Sequence, residues 1–435
     1  MLIEFTVGNY RSFNGEATLS MVAAPIVAKD KAVDENNVVK VDDRLDLLTS
    51  AAIYGANASG KSNLLRAMRF MKDCVLNSSK DGQALDPIAV EPFRLDPESP
   101  GRPSKFEMVF IADGRQYRYG FEATAARVES EWLYHVPRTK ETHLFQRDRD
   151  TFKLSGQFAE GRGLESRTRP NALFLSVVAQ FNGTISTALA KWFRGVNVIS
   201  GLSDGAVMGF TIQAFNDAEQ HRAIVQFIRG LDVGIHDILT DIVVATPETL
   251  PPSMPDDLRS RILTAPGAIR VAVTTNHQRY DQTGQAAGHE SFNLIEQESE
   301  GTKKLFAFAG PFLDTLRQGQ TLVVDELDAR LHPLITRAII TLFHSKSTNP
   351  RGAQLIFATH DTNLLSNKLF RRDQIWFTEK DRFGASHLES LVEYKVRNDA
   401  SFEADYIRGK YGAIPYIGDL SGFLGGQDGD EARPA

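Results

Sequence analysis

The chain has 435 residues, of which 42% are hydrophobic and 24% charged, and its 49 basic against 55 acidic side chains give a net charge of −6. This length admits two or three domains, or one large domain with insertions; the charge balance excludes a nucleic-acid-coating polycation but leaves room for a local basic groove. A single cysteine, Cys74, excludes an intramolecular disulfide and a multi-cysteine zinc site, and reads as a small core residue. The start, Met1-Leu-Ile-Glu-Phe5, has no basic segment ahead of an apolar core, and no apolar run reaches the length of a membrane span. A cytoplasmic protein with no membrane partner is expected.

In chain order, residues 2–7 alternate like a strand, Asn9–Phe13 read as a turn into a second strand, and residues 29–45 read as a polar loop. Leu48–Tyr54 is an apolar, strand-like run, and Asn63–Met71 is patterned as an amphipathic helix. Between them, Gly55-Ala-Asn-Ala-Ser-Gly-Lys-Ser62 fits G-x-x-x-x-G-K-[ST], a loop that wraps phosphates in backbone N–H groups. Gly55 and Gly60 permit the backbone angles and close approach, and Asn57, Ala58, Ser59 and Asn63 complete the cradle. Lys61 is positioned to reach the β/γ-phosphates, and the Ser62 hydroxyl to bind Mg²⁺. The following helix turns its positive dipole end toward the same phosphates. Such a loop reads phosphates rather than the base, so ATP and GTP both satisfy it.

Residues 105–111, 116–122, 127–137 and 143–154 read as strands of an antiparallel meander, with a hairpin signal at Ala112–Arg115. The stretch 155–170 reads as an exposed loop. Helical periodicity then appears at 171–180, at 185–193 and most clearly at Ile212–Arg229. Prolines 247, 251, 252 and 255 mark a loop, Ile269–Thr275 returns to strand, and 425–435 read as a disordered tail. These divisions predict an N-terminal ATPase lobe (1–104), an antiparallel β-layer (105–170), a helical lobe (171–260) and a C-terminal ATPase lobe (261–424). No sustained heptad predicts a coiled-coil arm.

Gln320–Glu326 is an apolar strand that ends in two carboxylates. Downstream of a phosphate loop this is the form of a Walker B strand, with Asp325 holding Mg²⁺ through water and Glu326 polarising the attacking water. Ser299-Glu-Gly-Thr-Lys303 precedes a helical stretch, Leu305–Leu316, and Leu355–His360 is another apolar strand, ending in a histidine. Phosphate loop, Ser-x-Gly before a helix, Asp-Glu, then strand and histidine is the order found in ABC-type ATPases. There the Ser-Gly element, here Ser299 and Gly301, caps the γ-phosphate held by the opposing subunit, which suits a helix N-terminus. His360 stands at the position of the switch histidine.

The chain resembles, nearly end to end, a prokaryotic group of AAA-type ATPases with ABC/RecF/SMC-like heads, including OLD-like and PARIS-type ATPases of anti-phage systems. The matching stretches are Asn9–Phe13, the phosphate loop with Asn63, Tyr119–Glu122, Glu131–Tyr134, Asn171–Ser176 and Glu298–Lys304. Asp325–Pro333, Thr359–Leu365, Asp373–Phe377 and Tyr406–Pro415 match as well. The resemblance implies an α/β fold, an ABC-type P-loop ATPase head with a mixed sheet, an antiparallel β-layer and an inserted helical lobe. It also implies Mg²⁺-dependent ATP hydrolysis by a head-to-tail homodimer or higher homo-oligomer, beside a nuclease or toxin effector, plausibly of TOPRIM type, encoded nearby. A RecF/SMC-like repair ATPase acting on DNA, and a nucleotide-locked scaffold that barely hydrolyses, are the alternatives.

Two departures count against a transporter and against fast turnover. Leu-Ser-Gly-Gly-Gln of transporters becomes Glu298-Ser-Glu-Gly-Thr302, and the D-loop aspartate position falls on His332. Two further site residues are candidates: Gln180 as the Q-loop glutamine, and Arg11 as a phosphate contact, as in related heads.

Overall fold

The computed structural model describes residues 1–137, 140–203, 205–231, 233–244, 246–247, 256–264, 269–397 and 400–415. The expected tail at 425–435 and most of the proline-marked loop near 247–255 lie outside them. The first third of the chain runs β1 (Leu2–Gly8), β2 (Ala17–Ser20), α1 (Lys31–Asn37), β3 (Val38–Lys40), β4 (Asp46–Leu48), β5 (Ser50–Tyr54), α2 (Lys61–Asn77), β6 (Ser104–Ala112), β7 (Arg115–Ala123), β8 (Val128–Val136), β9 (Thr142–Asp148) and β10 (Thr151–Leu154). It continues through α3 (Phe174–Gln180), α4 (Thr184–Arg194), β11 (Val196–Ser200), α5 (Gly205–Ala214), α6 (Ala218–Gly230), β12 (Ile235–Val244), α7 (Asp256–Thr264), β13 (Ile269–Tyr280) and β14 (Ala286–Asn293). The last part holds α8 (Leu294–Gln297), α9 (Glu300–Gln318), β15 (Thr321–Asp325), α10 (Pro333–His344), β16 (Gln354–Ala358), β17 (Ile375–Lys380), β18 (Ser386–Ser390) and α11 (Phe402–Ile407).

Two large sheets organise the fold. One is antiparallel, in the order β10-β9-β8-β7-β6-β1-β2; the other runs β11-β15-β16-β5-β17-β18, parallel except for the β17–β18 hairpin. Alternation along β5 sends Ala51 and Ile53 to one side and Ala52 and Tyr54 to the other. On the first side, Leu64, Met68 and Met71 of α2 share a core with Phe106 and Tyr119 of the antiparallel sheet. On the second, Phe306 and Phe312 of α9 pack with Ile339 and Phe343 of α10. No helix among the described residues is long and apolar enough to cross a membrane.

Several local expectations need correction. The polar stretch 29–45 contains α1, capped by the Asp30 carboxylate on the Ala32 N–H, and then β3. The single helix expected over Ile212–Arg229 is broken, because Asp217 accepts the N–H groups of Glu219 and Gln220 and starts α6 afresh. Residues 155–170 hold two 3₁₀ turns, and Phe158 is buried against Phe145 and Phe174. The helical lobe over 171–260 also supplies β11, which enters the central sheet parallel to β15, and β12, which pairs with β13 across the expected boundary at 260. A five-residue strand between helices carries too little periodicity to announce a partner more than a hundred residues away. The Tyr406–Pro415 stretch joins the core: Tyr406 and Tyr411 both stack on Phe377, at 5.4 Å.

Gln354 joins the two sheets at one point. Wholly buried at the start of β16, its amide accepts the Leu2 N–H (2.6 Å) and donates to the carbonyl oxygens of Leu2 (2.9 Å) and Leu48 (3.2 Å). It substitutes for a backbone partner where β1 meets the central sheet. Gln354→Ala orphans those groups at roughly 1–3 kcal/mol each, so a loss of about 3 kcal/mol is expected in urea unfolding, with Gln354→Glu also destabilising. Unchanged stability in both variants would refute this role.

Candidate functional site

The phosphate loop lies at the C-terminal edge of the parallel strands, where an open α/β sheet leaves its crevice. After β5 the chain turns through Gly55 (φ 153°), Ala58 (φ 62°) and Gly60 (φ 122°) before α2 begins at Lys61. A Cβ on Gly55 would collide with the carbonyl oxygen of Thr378, and one on Gly60 with the Ser386 hydroxyl. Distant segments brace the loop at those contacts. The Ser59 hydroxyl bonds that of Thr378 (2.6 Å), Ser386 donates its hydroxyl to the Ser59 carbonyl (2.6 Å), and Asn63 donates to the Ser12 hydroxyl (2.9 Å).

Lys61 is 5% exposed and donates its ammonium to the carbonyl oxygens of Gly55 (2.7 Å) and Ala56 (3.0 Å). Burial brings its pKa down to about 8, against the pull of Asp325, Glu326 and Asp328 in the opposite direction. The Ser62 hydroxyl donates to Asp325 Oδ1 at 3.1 Å. These two oxygen groups, side by side, fit a hard cation that keeps most of its ligands as water and phosphate. Glu326 follows in a left-handed conformation (φ 55°), an uncommon one for a non-glycine residue and the kind of local strain found at working sites. His360 reaches the same place from the end of β16, its backbone N–H donating to Asp328 Oδ2 at 3.4 Å. Burial, and secondarily the Lys61 cation, lower its pKa, which favours the neutral ring.

A pocket of about 510 Å³ is lined by Asn57, Ala58, Ser59, Gly60, Lys61, Ser62 and Asn63 together with Glu326 and His360. Arg66 and Lys380 line it too, and the sequence reading missed both. Arg66 was within reach of that reading, one helical turn beyond Ser62 and Asn63; Lys380 arrives on β17, and no sequence signal points to it.

Four expected residues lie elsewhere. Ser299 is exposed at the N-cap of α9, accepting the Thr302 N–H at 3.1 Å, and Gly301 packs against the carbonyl oxygen of Arg330. Neither lines the pocket. The Arg11 backbone is beside the loop through its neighbour Ser12, but its guanidinium pairs with Glu91 at 2.6 Å. Gln180 is exposed at the far end of α3. That helix is tied at its start to buried Glu131, which accepts the N–H groups of Phe174 and Leu175, and to Ser78 and Ser79 beyond the end of α2. Gln180 is not among the residues that line the pocket, and the start of α3 is held at Ser78 and Ser79, beyond the end of α2 opposite Lys61. His332, at the D-loop register, caps α10 through its ring Nδ1.

The depressed Lys61 pKa gives a pH test. Folded chains hold fewer protons than unfolded ones between about 8 and the ordinary lysine value of 10.5, so this group makes stability rise with pH across that window. A bound phosphate restores the proton, so nucleotide affinity is expected to fall above about pH 8, toward roughly tenfold per pH unit. Calorimetric titrations in buffers of different ionisation heat should show proton uptake on binding, and Lys61→Ala should lose binding altogether. Full affinity in that variant would remove the phosphate-loop assignment.

Residues 50–366 match the family described as "AAA domain, putative AbiEii toxin, Type IV TA system". No curated protein matches the chain. Solved structures that resemble it include an Smc head bound to the C-winged helix domain of ScpA, at 13% identity and TM-score 0.46, covering 89% of this chain and 97% of that one. The SMC head domain from Thermotoga maritima gives 13% and 0.39, covering 89% and 98%. The recombination mediator RecF with ATPrS gives 12% and 0.35, also covering 89% and 98%. The family match spans both halves of the pocket, from the strand before the phosphate loop to beyond His360, and the chain belongs to this AAA-domain family.

Proposed function

We propose that this chain is a cytoplasmic, Mg²⁺-dependent ATPase whose working site forms between two copies packed head to tail. The observation that carries this reading is the division of the site. Phosphate loop, Asp325, Glu326 and His360 are together, while Ser299 and Gly301, at the start of a nineteen-residue helix, are not among the residues that line that pocket. A second copy would present that helix end, with its N–H groups and dipole, to the γ-phosphate.

In this reading Lys61 and the loop N–H groups hold the phosphates. Ser62 and Asp325 would hold Mg²⁺, which would supply neutralising positive charge at the phosphates. Glu326 accepts the proton of the attacking water, and neutral His360 contacts the γ-phosphate. Glu300 lies within the helix end offered to the partner, its charge held by Lys303 (2.9 Å) and Arg330 (3.3 Å). A carboxylate this close to a developing anion supports slow turnover, that is, a switch. The family's description names a toxin and a toxin–antitoxin system, which supports coupling to a destructive partner. The closed ATP state would hold a nuclease or toxin effector in anti-phage defence, provided the effector binds one nucleotide state better than the other.

Glu326→Gln should bind ATP, hydrolyse it on the order of 10²–10⁴-fold more slowly, run as a dimer on sizing columns with ATP, and retain the product of the adjacent gene. Wild-type hydrolysis would exclude Glu326 as the base; a closed dimer that retains no neighbour would leave the ATPase and remove the effector. Ser299→Arg should bind ATP without dimerising. Mixed with Lys61→Ala chains, it should regain part of the activity through one intact composite site. Failure of all mixtures would place the site within a single chain.

A further inference from the structure

A cleft of about 590 Å³, larger than the nucleotide pocket, opens at the other end of α2. Phe70, Asp73, Cys74 and Asn77 form one wall, at the i, i+3, i+4, i+7 spacing of a single helix face. Buried Phe121, Val128 and Leu173 make an apolar floor, and the loop after α2 makes the lip.

Its lining charge is acidic. Asp73, Asp81 and Asp86 line the cleft, no basic residue does, and none of the three has an ion-pair partner among the described residues. Arg169 stands at the lip, donating to the carbonyl oxygens of Gly82 (2.6 Å), Ser78 (2.8 Å) and Asp81 (3.5 Å), and offsets part of that charge; Lys72 donates to the carbonyl of Arg194 (3.5 Å). Partial burial raises the Asp73 pKa in spite of Lys72 and Arg69.

Asn171 braces the lip: its amide nitrogen donates to the carbonyl oxygens of Gln83 (2.7 Å) and Asp86 (2.9 Å). In that loop Leu85 stands 97% exposed. Carboxylates around an apolar floor call for positively charged N–H donors carried on an apolar body.

We propose that this cleft docks a peptide segment of a partner protein in which arginine or lysine is interspersed with large apolar side chains. The chain's own last residues do not suit it: 425–435 carry Asp428, Asp430 and Glu431 against Arg433, the same sign as the rim. The cleft wall on α2 runs from Phe70 to Asn77, roughly 14–24 Å along the helix from Lys61, and shares no lining residue with the nucleotide pocket, so the assignment stands whether or not the chain hydrolyses ATP.

The test uses the full chain and a displayed library of random dodecapeptides. Panning on the wild type, with counter-selection on Asp73→Asn/Asp81→Asn/Asp86→Asn, should enrich clones that combine basic and apolar residues. Synthetic, fluorescein-labelled versions should bind the wild type at least tenfold more tightly than the triple variant, in polarisation titrations at physiological salt. Replacing their apolar residues with serine should cost a similar factor. Since all three aspartates are exposed, the variant should fold normally and bind ATP like the wild type. Enriched clones that are acidic or lack apolar residues, clones that bind both proteins alike, or no enrichment over a blank surface would each overturn the proposal.

Discussion

The parallel backbone ladder that joins β15 to β16 and β16 to β5 sets the geometry of everything at the site. Its register puts Val324 beside Phe357 and Ala358 beside Ile53, so the three chains leave the sheet at one edge and at nearly one level. From that edge β5 delivers Gly55 and Lys61, β15 delivers Asp325 and Glu326, and β16 delivers His360. A one-residue slip in any pairing would turn a buried strand inside out, so the hydrophobic cores on both faces also fix the distance between Ser62 and Asp325. Packing and chemistry are secured by one register.

What the ladder aligns, other segments immobilise. Ser12 arrives from the first turn of the chain and Thr378 and Ser386 from the last hairpin, and together they hold the phosphate loop from outside. On the Walker side, buried Lys304 donates to the carbonyl oxygens of Glu326 (3.3 Å), Leu327 (3.0 Å) and Ala329 (2.7 Å). That lysine belongs to α9, the helix whose N-cap is Ser299. The start of α9 and the turn carrying Glu326 are therefore tied together; in the proposed head-to-tail dimer this would give partner contact a direct route to that turn. Donors and dipoles fixed in advance are what electrostatic catalysis requires.

The helix α2 spans two environments of opposite character. At Lys61 it presents a cation and a dipole end to an anion; toward Asn77 it borders an apolar cleft edged by carboxylates. Its buried side is continuous between them, through Leu64, Met68, Met71 and Val75 in the shared core. A shift of the helix in response to either ligand would be felt at the other end through that packing.

The sequence alone carried the local signals. Gly55–Ser62 reads as a phosphate loop because two glycines, a lysine and a hydroxyl at fixed spacing, between a strand and a helix, have that use and few others. The alternating residues of β6, β7 and β8 likewise showed an antiparallel layer, since a half-buried strand writes its period into its own residues. Tertiary structure decided what depends on distant partners. Gln180 has the right type and an acceptable position in the chain, yet Glu131 and the serines after α2 carry its helix away from the phosphates. Arg11 sits beside the loop in sequence terms but spends its charge on Glu91. Lys380, Thr378, Ser386 and β11 reached the site or its sheet with no local sign, because pairing across hundreds of residues is set by the energy of the whole core and leaves no periodic trace in the segment itself.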